Sequence, residues 1–346
     1  MKHLFYVHSH ITFLVSKQYI FDNGLNPDDC LFFCVREYLP PVSYRTLFKN
    51  IIAYPTEVLP NKYTRLLENH NIIIGYRNIR ILENKINSFF NKSPFIFYVP
   101  NTNLDCSSAI ITMSQCKHFF IIEEGDTAYV SKNIIPTSFK GIHLFFYFFF
   151  RPLLYRFLAV KNWCFPYKHK KFHGTISMSS DAFYDAPGEK KVINIPFDKE
   201  ELTVIPDAIL SIDSSLLVFF TKDIAIELFT KLNIFFKKKG YTKVAYKFHP
   251  IFYSQNVIAD YREIINNIFG ELVYELPRES VIENILYTYP IDFYSDYSAI
   301  ARYASFMGRK CWSYAKYLIP YNDMYSKKLE QATSILKYYI DISEQL

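Results

Sequence analysis

Short apolar runs recur along this chain, each closed by a turn and followed by a stretch with a helical period. In the first half they are His3–Val7, Cys30–Val35, Ile72–Gly75, Phe95–Val99 and Phe119–Ile122. In the second half they are Ser215–Phe220, Lys243–Phe248, Glu271–Leu276 and Leu286–Phe293. Ile11–Tyr19, Arg77–Phe90, Asp105–Gln115, Lys222–Lys237, Val257–Ile268, Ser298–Met307 and Asp323–Leu346 carry the spacing of helices. Strands joined by helices run parallel and need helices on both faces. The pattern breaks once, between His173 and Glu200, where Gly174, Pro187, Gly188 and Pro196 interrupt any period. The expected organisation is therefore two Rossmann-like α/β domains, 1–172 and 201–346, joined by a linker region over 173–200.

Composition narrows the class. At 346 residues, half of them hydrophobic, the chain can bury two cores. A net charge of +6 suits an anionic substrate or surface and falls short of a nucleic-acid footprint, so no nucleic-acid partner is expected. The six cysteines (30, 34, 106, 116, 164, 311) show no CxxC pair, which argues for buried thiols in a reducing compartment rather than a zinc site. His3, His8, His10 and Lys17 break the apolar N-terminus, which reads as a first strand rather than a signal peptide. Segment 141–171 is aromatic up to Val160 and basic beyond it (Lys161, Lys168, His169, Lys170, Lys171). Arg151, Pro152 and Arg156 interrupt it, so it is too short to span a bilayer; it fits a surface-lying segment or a core helix with a charged exit.

Polar residues at the expected strand ends are the candidate site, because open α/β sheets bind ligands outside the carboxyl ends of their strands. Glu123 and Glu124 follow Phe119–Ile122, with Gly125 opening the turn. His8, Ser9 and His10 lie in the first strand-to-helix turn, and Asn101 to Asn103 after the Phe95–Val99 strand. In the second half, Lys247-Phe248-His249-Pro250 closes one strand, while Ser295, Asp296 and Ser298 lead into a helix. Each has an ordinary reading on its own: solvated acids, turn histidines, a helix cap. No GxGxxG, Walker loop, GxSxG or HExxH occurs, nor any Asp-x-Asp that would bridge a metal to a nucleotide.

Taken together, Glu123-Glu124-Gly125, Lys247-Phe248-His249-Pro250 and Phe293-Tyr294-Ser295-Asp296-Tyr297-Ser298-Ala299 resemble the acid–acid–Gly, His-Pro and serine motifs of bacterial sialyltransferases. The closest likeness is to the lipooligosaccharide and capsule enzymes of glycosyltransferase family 52 and its relatives. Glu275-Leu276-Pro277-Arg278-Glu279 is similar to their cytidine-side loop. One departure is that the family usually has two adjacent serines, whereas here Ala299 follows Ser298.

The resemblance implies a GT-B fold, two Rossmann-like domains facing across a cleft. It also implies an inverting, metal-independent transfer of sialic acid from CMP-sialic acid to a terminal sugar hydroxyl, with no cofactor. A sugar hydroxyl is a weak nucleophile, so a carboxylate that takes its proton assists attack; by resemblance that is Glu123, with Glu124 second. His249 would hydrogen-bond the departing phosphate, and Pro250 would stiffen its turn. Ser298 would add a hydroxyl and nearby N–H groups to the phosphate, Lys247 would reach the nucleotide by charge or stacking and Glu279 the ribose hydroxyls, with Gly125, Leu276, Pro277 and Ser295 also on the donor side. His8, Ser9, His10, Asn101 and Asn103 fall on the acceptor side. The acceptor would be a bacterial surface glycan, lipid-linked at the inner face of the cytoplasmic membrane, with the enzyme cytoplasmic or peripheral there. The alternatives are another CMP-activated nonulosonic acid or Kdo as donor, and a non-catalytic, membrane-peripheral glycan-assembly protein.

Overall fold

A computed structural model of the protein describes residues 1–35, 38–53, 69–100, 105–129, 167, 169–249, 251–254 and 257–346. They form two compact units, Met1–Pro196 and Phe197–Leu346. The first holds strands β1 (Lys2–Val7), β2 (Cys30–Cys34), β3 (Ile51–Ala53), β4 (Phe95–Val99), β5 (Cys116–Ile122), β6 (Phe172–Ser177) and β7 (Glu189–Val192). The second holds β8 (Ala208–Ile212), β9 (Val244–Phe248), β10 (Val273–Glu275), β11 (Asp292–Ser295), β12 (Cys311–Ser313) and β13 (Ile340–Asp341).

Every strand pair is parallel. The sheets run β3-β2-β1-β4-β5-β6-β7 and β10-β9-β8-β11-β12-β13. Each thus starts at its own centre, winds outward to one side, then reverses, which is the doubly wound order. The reversal falls between β1 and β4 in one unit and between β8 and β11 in the other. Parallel strands covered on both faces must be apolar at successive positions. Leu4 to Val7, Leu31 to Cys34, Phe97 to Val99 and Ala208 to Leu210 are all buried accordingly.

Several elements differ from expectation for identifiable reasons. Ile72–Gly75 belongs to a longer helix, Asn69–Phe90. Ser215–Phe220 is apolar, yet Ser214–Phe219 is a helix in which only Ser215 and Leu216 are buried. The strand is the preceding Ala208–Ile212, buried at every position. Leu286–Phe293 divides into the end of a helix, Ile282–Thr288, and the start of β11, with Pro290 between them. Asp323–Leu346 is helical only at Asp323–Gln331 and Thr333–Leu336, then supplies β13.

The region 173–200 is likewise no linker, since it builds β6 and β7 onto the first sheet and the units divide after Pro196. Its glycines serve close packing. A Cβ on Gly174 would lie 2.1 Å from the carbonyl oxygen of Glu189 on the paired strand.

Segment 141–166 lies outside the described residues. Of the basic residues that follow it, His169 is buried, and Lys171 donates to the carbonyls of Ile111 and Met113 at 2.7 and 2.8 Å. Lys171 therefore closes the C-terminal end of helix Asp105–Thr112 instead of facing outward. Among the described residues no helix is long and apolar enough to cross a membrane. Cys30, Cys34, Cys116 and Cys311 are buried free thiols.

Gly174→Ala forces β7 off β6. The expected cost is about 2 kcal/mol, a fall of several degrees in the melting temperature. Amide exchange in β7 should quicken while β8–β12 stay protected, and an unchanged melting temperature would contradict the close approach.

Candidate functional site

In the first unit the acid pair sits where β5 ends. The Glu123 N–H still pairs with the carbonyl of Ile176 at 2.9 Å, so its side chain follows the sheet into the interior. Glu123 is fully buried; Tyr129 Oη–H donates to Oε1 at 2.9 Å, and the Met178 N–H donates to Oε2 at 2.7 Å. Glu124 is the less enclosed acid, its Oε2 3.4 Å from Nε2 of His8. Gly125 follows at φ 114°, a backbone that side-chain-bearing residues avoid, so the turn away from the acids requires glycine. The sequence places both acids at the strand end; the structure separates an anchored, enclosed Glu123 from a Glu124 tied to the β1 edge.

The β1 turn divides its residues between structure and site. Ser9 caps helix His10–Asp22 in a reciprocal pair with Thr12, so its hydroxyl is committed to the backbone. His10 contacts the hydroxyl of Tyr38 at 3.2 Å through Nδ1. His8 alone of the three reaches the acid pair. Asn101 and Asn103 lie outside the described residues.

In the second unit three strand ends converge on the reversal of the sheet. His249 follows β9, and its N–H donates to the carbonyl of Ile212 at 2.9 Å, which pins it beside the end of β8. Its side chain reaches solvent, but surrounding protein atoms thin its hydration and hold its pKa below the ordinary 6.5. The carboxyl of Asp296 opposes that shift, and the ammonium of Lys328 adds to it. Pro250 lies outside the described residues.

The serines are organised by a tyrosine that sequence reasoning missed. Ser295 is fully buried, its hydroxyl paired with that of Tyr339. The N–H of Ser298 donates to the same Tyr339 oxygen at 2.9 Å, and Ser298 Oγ accepts from the Ile300 N–H at 3.3 Å. Ser298 remains at the edge, whereas Ser295 is a buried support with no route to a ligand.

Beneath this edge lies a pair of carboxyl groups across the reversal, Asp213 from the end of β8 and Asp296 from the end of β11. Asp296 is fully buried and Asp213 is 9% exposed. The Asp296 N–H donates to Asp213 Oδ2 at 3.3 Å, which brings the two acids together, and burial raises the proton affinity of both. Burial first, and then the Asp296 carboxyl, raises the proton affinity of Asp213 well above the ordinary 3.8. Asp296 accepts from Ser215 Oγ–H, from the Tyr297 N–H at 2.6 Å and from Tyr325 Oη–H at 3.4 Å, while Ser211 Oγ–H donates to Asp213 at 2.9 Å. The signal for Asp213 was present as the residue ending a buried apolar run, but the run itself was misplaced.

Lys247 does not stand open to a ligand. Its ammonium donates to the backbone carbonyl of Ser280, and burial lowers its pKa despite Glu283, Glu200 and Glu279 nearby. Burial also raises the pKa of the carboxyls of Glu200 and Glu283. Lys247 thereby fastens the loop that contains Pro277 and Glu279, both exposed, to the sheet. Leu276 is buried and contributes packing, with its N–H on the carbonyl of Tyr246 at 2.8 Å.

No family model and no curated protein sequence matches the chain. Solved structures do match in fold. A protein assigned as a UDP-N-acetylglucosamine 2-epimerase from Listeria monocytogenes superposes with a TM-score of 0.53 at 12% identity, over 90% of this chain and 78% of that one. S. aureus MnaA, in a co-structure with UDP, gives a TM-score of 0.51 at 10% identity, over 98% and 90%. A sialyltransferase from Photobacterium damsela gives 0.43 at 12% identity, over 85% and 74%, too distant to carry an argument. At these identities the likeness establishes the fold alone: two parallel, Rossmann-like units of the GT-B type.

The carboxyl pair makes a pH-dependent contribution of definite sign. The folded state raises the proton affinity of Asp213, so the stability this proton confers is present below the ordinary carboxylate pKa and is lost as pH rises through the folded value. Asp213→Asn, which removes the titrating proton, should therefore flatten the loss of urea midpoint as pH rises above the ordinary carboxylate range. Asp296→Ala, which strands Ser215, Tyr325 and the Tyr297 N–H, should cost about 2–4 kcal/mol at any pH. Parallel pH profiles for Asp213→Asn and the native chain would contradict the raised proton affinity of Asp213.

Proposed function

We propose that this protein is a glycosyltransferase that moves a sugar from a nucleotide-activated donor, with CMP-sialic acid as donor and a terminal sugar hydroxyl of a bacterial surface glycan as acceptor. The observation that carries the reading is the gathering of His249 and Ser298 at the reversal of the second sheet, over the buried Asp213–Asp296 pair. That is where an open α/β sheet receives a ligand, and the donors at that edge suit a phosphate. The GT-B fold is compatible with nucleotide chemistry, and S. aureus MnaA was determined with UDP. The motifs in the acid pair, the His249 turn and the Ser298 turn favour CMP over UDP.

The reaction needs three services from the chain. The acceptor hydroxyl oxygen forms a bond to the anomeric carbon as the bond from that carbon to the phosphate oxygen breaks, leaving CMP with the electron pair. The hydroxyl proton passes to the acid pair after β5. Glu123 is held by Tyr129 and Met178, and Glu124 is oriented by His8, so one acid fixes the geometry within which the other accepts. At the donor, His249 and the Ser298 hydroxyl supply hydrogen bonds to the departing phosphate, where charge develops. Inversion follows from a single displacement with no covalent enzyme intermediate. A lipid-linked acceptor at the inner face of the cytoplasmic membrane is the reading of segment 141–171 that fits such a reaction.

A donor panel tests the proposal. CMP-sialic acid, CMP-Kdo, a second CMP-nonulosonic acid and two UDP-sugars are incubated with the full chain and simple glycan acceptors, and nucleotide release is measured. Release from CMP-sialic acid is expected, with Glu123→Gln, Glu124→Gln and His249→Ala each lowering kcat by about 100-fold or more in folded protein. Release from the UDP-sugars alone would replace the donor. No release from any of them would leave a non-catalytic glycan-assembly protein in its place.

A further inference from the structure

The helix Asp323–Gln331 is fixed against the donor edge at two points. Asn322 caps it, accepting from the Tyr325 N–H at 3.0 Å and donating through Nδ2 to the carbonyl of Phe219 at 2.7 Å. Tyr325 is buried, and its hydroxyl reaches Asp296. Lys328 stands three residues beyond Tyr325, and so on the same face of the helix.

The Lys328 side chain is exposed at its end but not unsupported. Its ammonium lies 5.2 Å from the ring centroid of Phe219 and 5.6 Å from that of Tyr297, the residue before Ser298. Two aromatic faces hold a cation in place without neutralising it. Among the described residues no carboxylate is within ion-pair distance of this ammonium. Its field reaches the His249 imidazole. The imidazole is also influenced by Asp296 from beneath, at the end of β11. A positioned cation that lacks an acid partner, beside an imidazole and a serine turn, is matched by an anion.

We propose that Lys328 is a further donor-binding residue whose ammonium meets the phosphate of the nucleotide at this edge. The inference rests on the nucleotide-sugar reading given above and extends it to a helix that none of the recognised motifs includes. Lys328 binds the phosphate by charge, and the Phe219 and Tyr297 rings limit the freedom lost when it does so. The contact is to the phosphate and not the base, so it separates ligands by charge.

Calorimetric titration of the full-length chain with CMP and with cytidine tests this. Lys328→Met keeps the apolar stem against both rings and removes the charge; Lys328→Arg keeps the charge. The expected result is a CMP affinity about tenfold or more weaker in Lys328→Met, largely retained in Lys328→Arg, with cytidine binding unchanged in both. CMP affinity should also fall with added salt more steeply in the native chain than in Lys328→Met. Equal CMP affinity in the native chain and a folded Lys328→Met would overturn the role of Lys328 while leaving the donor reading intact. A native chain that binds no CMP would overturn the donor reading and this contact with it.

Discussion

The buried pairing of Asp213 and Asp296 is the constraint on which the reversal of the second sheet depends. Burial disfavours charge on both acids, and among the described residues neither forms an ion pair that would offset the loss of hydration. The Asp296 N–H donates to Asp213, and Ser211, Ser215, Tyr325 and the backbone of Tyr297 complete the arrangement. The ends of β8 and β11 are thereby locked to each other and to the helix Asp323–Gln331. The exposed His249 and Lys328 and the half-buried Ser298 are the outer layer of that lock. Rigid support of this kind keeps the groups at the sheet edge in fixed positions.

The first unit uses a different device for its acid pair. Glu123 is enclosed and hydrogen-bonded on both oxygens, whereas Glu124 meets the His8 imidazole at the end of β1. Gly125 then turns the chain away from both. The two adjacent acids thus have unequal surroundings, one enclosed and anchored and the other tied to the neighbouring strand end.

The legibility of this architecture in the sequence followed its physics closely. Central parallel strands such as Leu4–Val7, Leu31–Cys34 and Phe119–Ile122 are buried on both faces, so they stand out as apolar runs, and the residues just after them are where a site belongs. His8, Glu123, Glu124 and His249 follow such runs, which is why the sequence marks them as candidates. The misreadings arose where the local signal points the wrong way. Ser215–Phe220 is more apolar than Ala208–Ile212 but covers one face only, and choosing it hid Asp213. Gly174 and Gly188 look like linker punctuation, yet Gly174 is there so that β7 can approach β6. Tyr339, Tyr325 and Lys328 act across long sequence separations, so no local pattern could have assigned them. Lys247 and Ser295 were assigned to a ligand by motif, but the structure gives them to the protein itself.

The most direct test is a crystal structure of the full chain with CMP. The account predicts the phosphate at the carboxyl edge of the second sheet, within hydrogen-bonding distance of the His249 imidazole and the Ser298 hydroxyl, above an undisturbed Asp213–Asp296 pair. CMP bound at any other edge of the sheet, with those two side chains free of it, would contradict it.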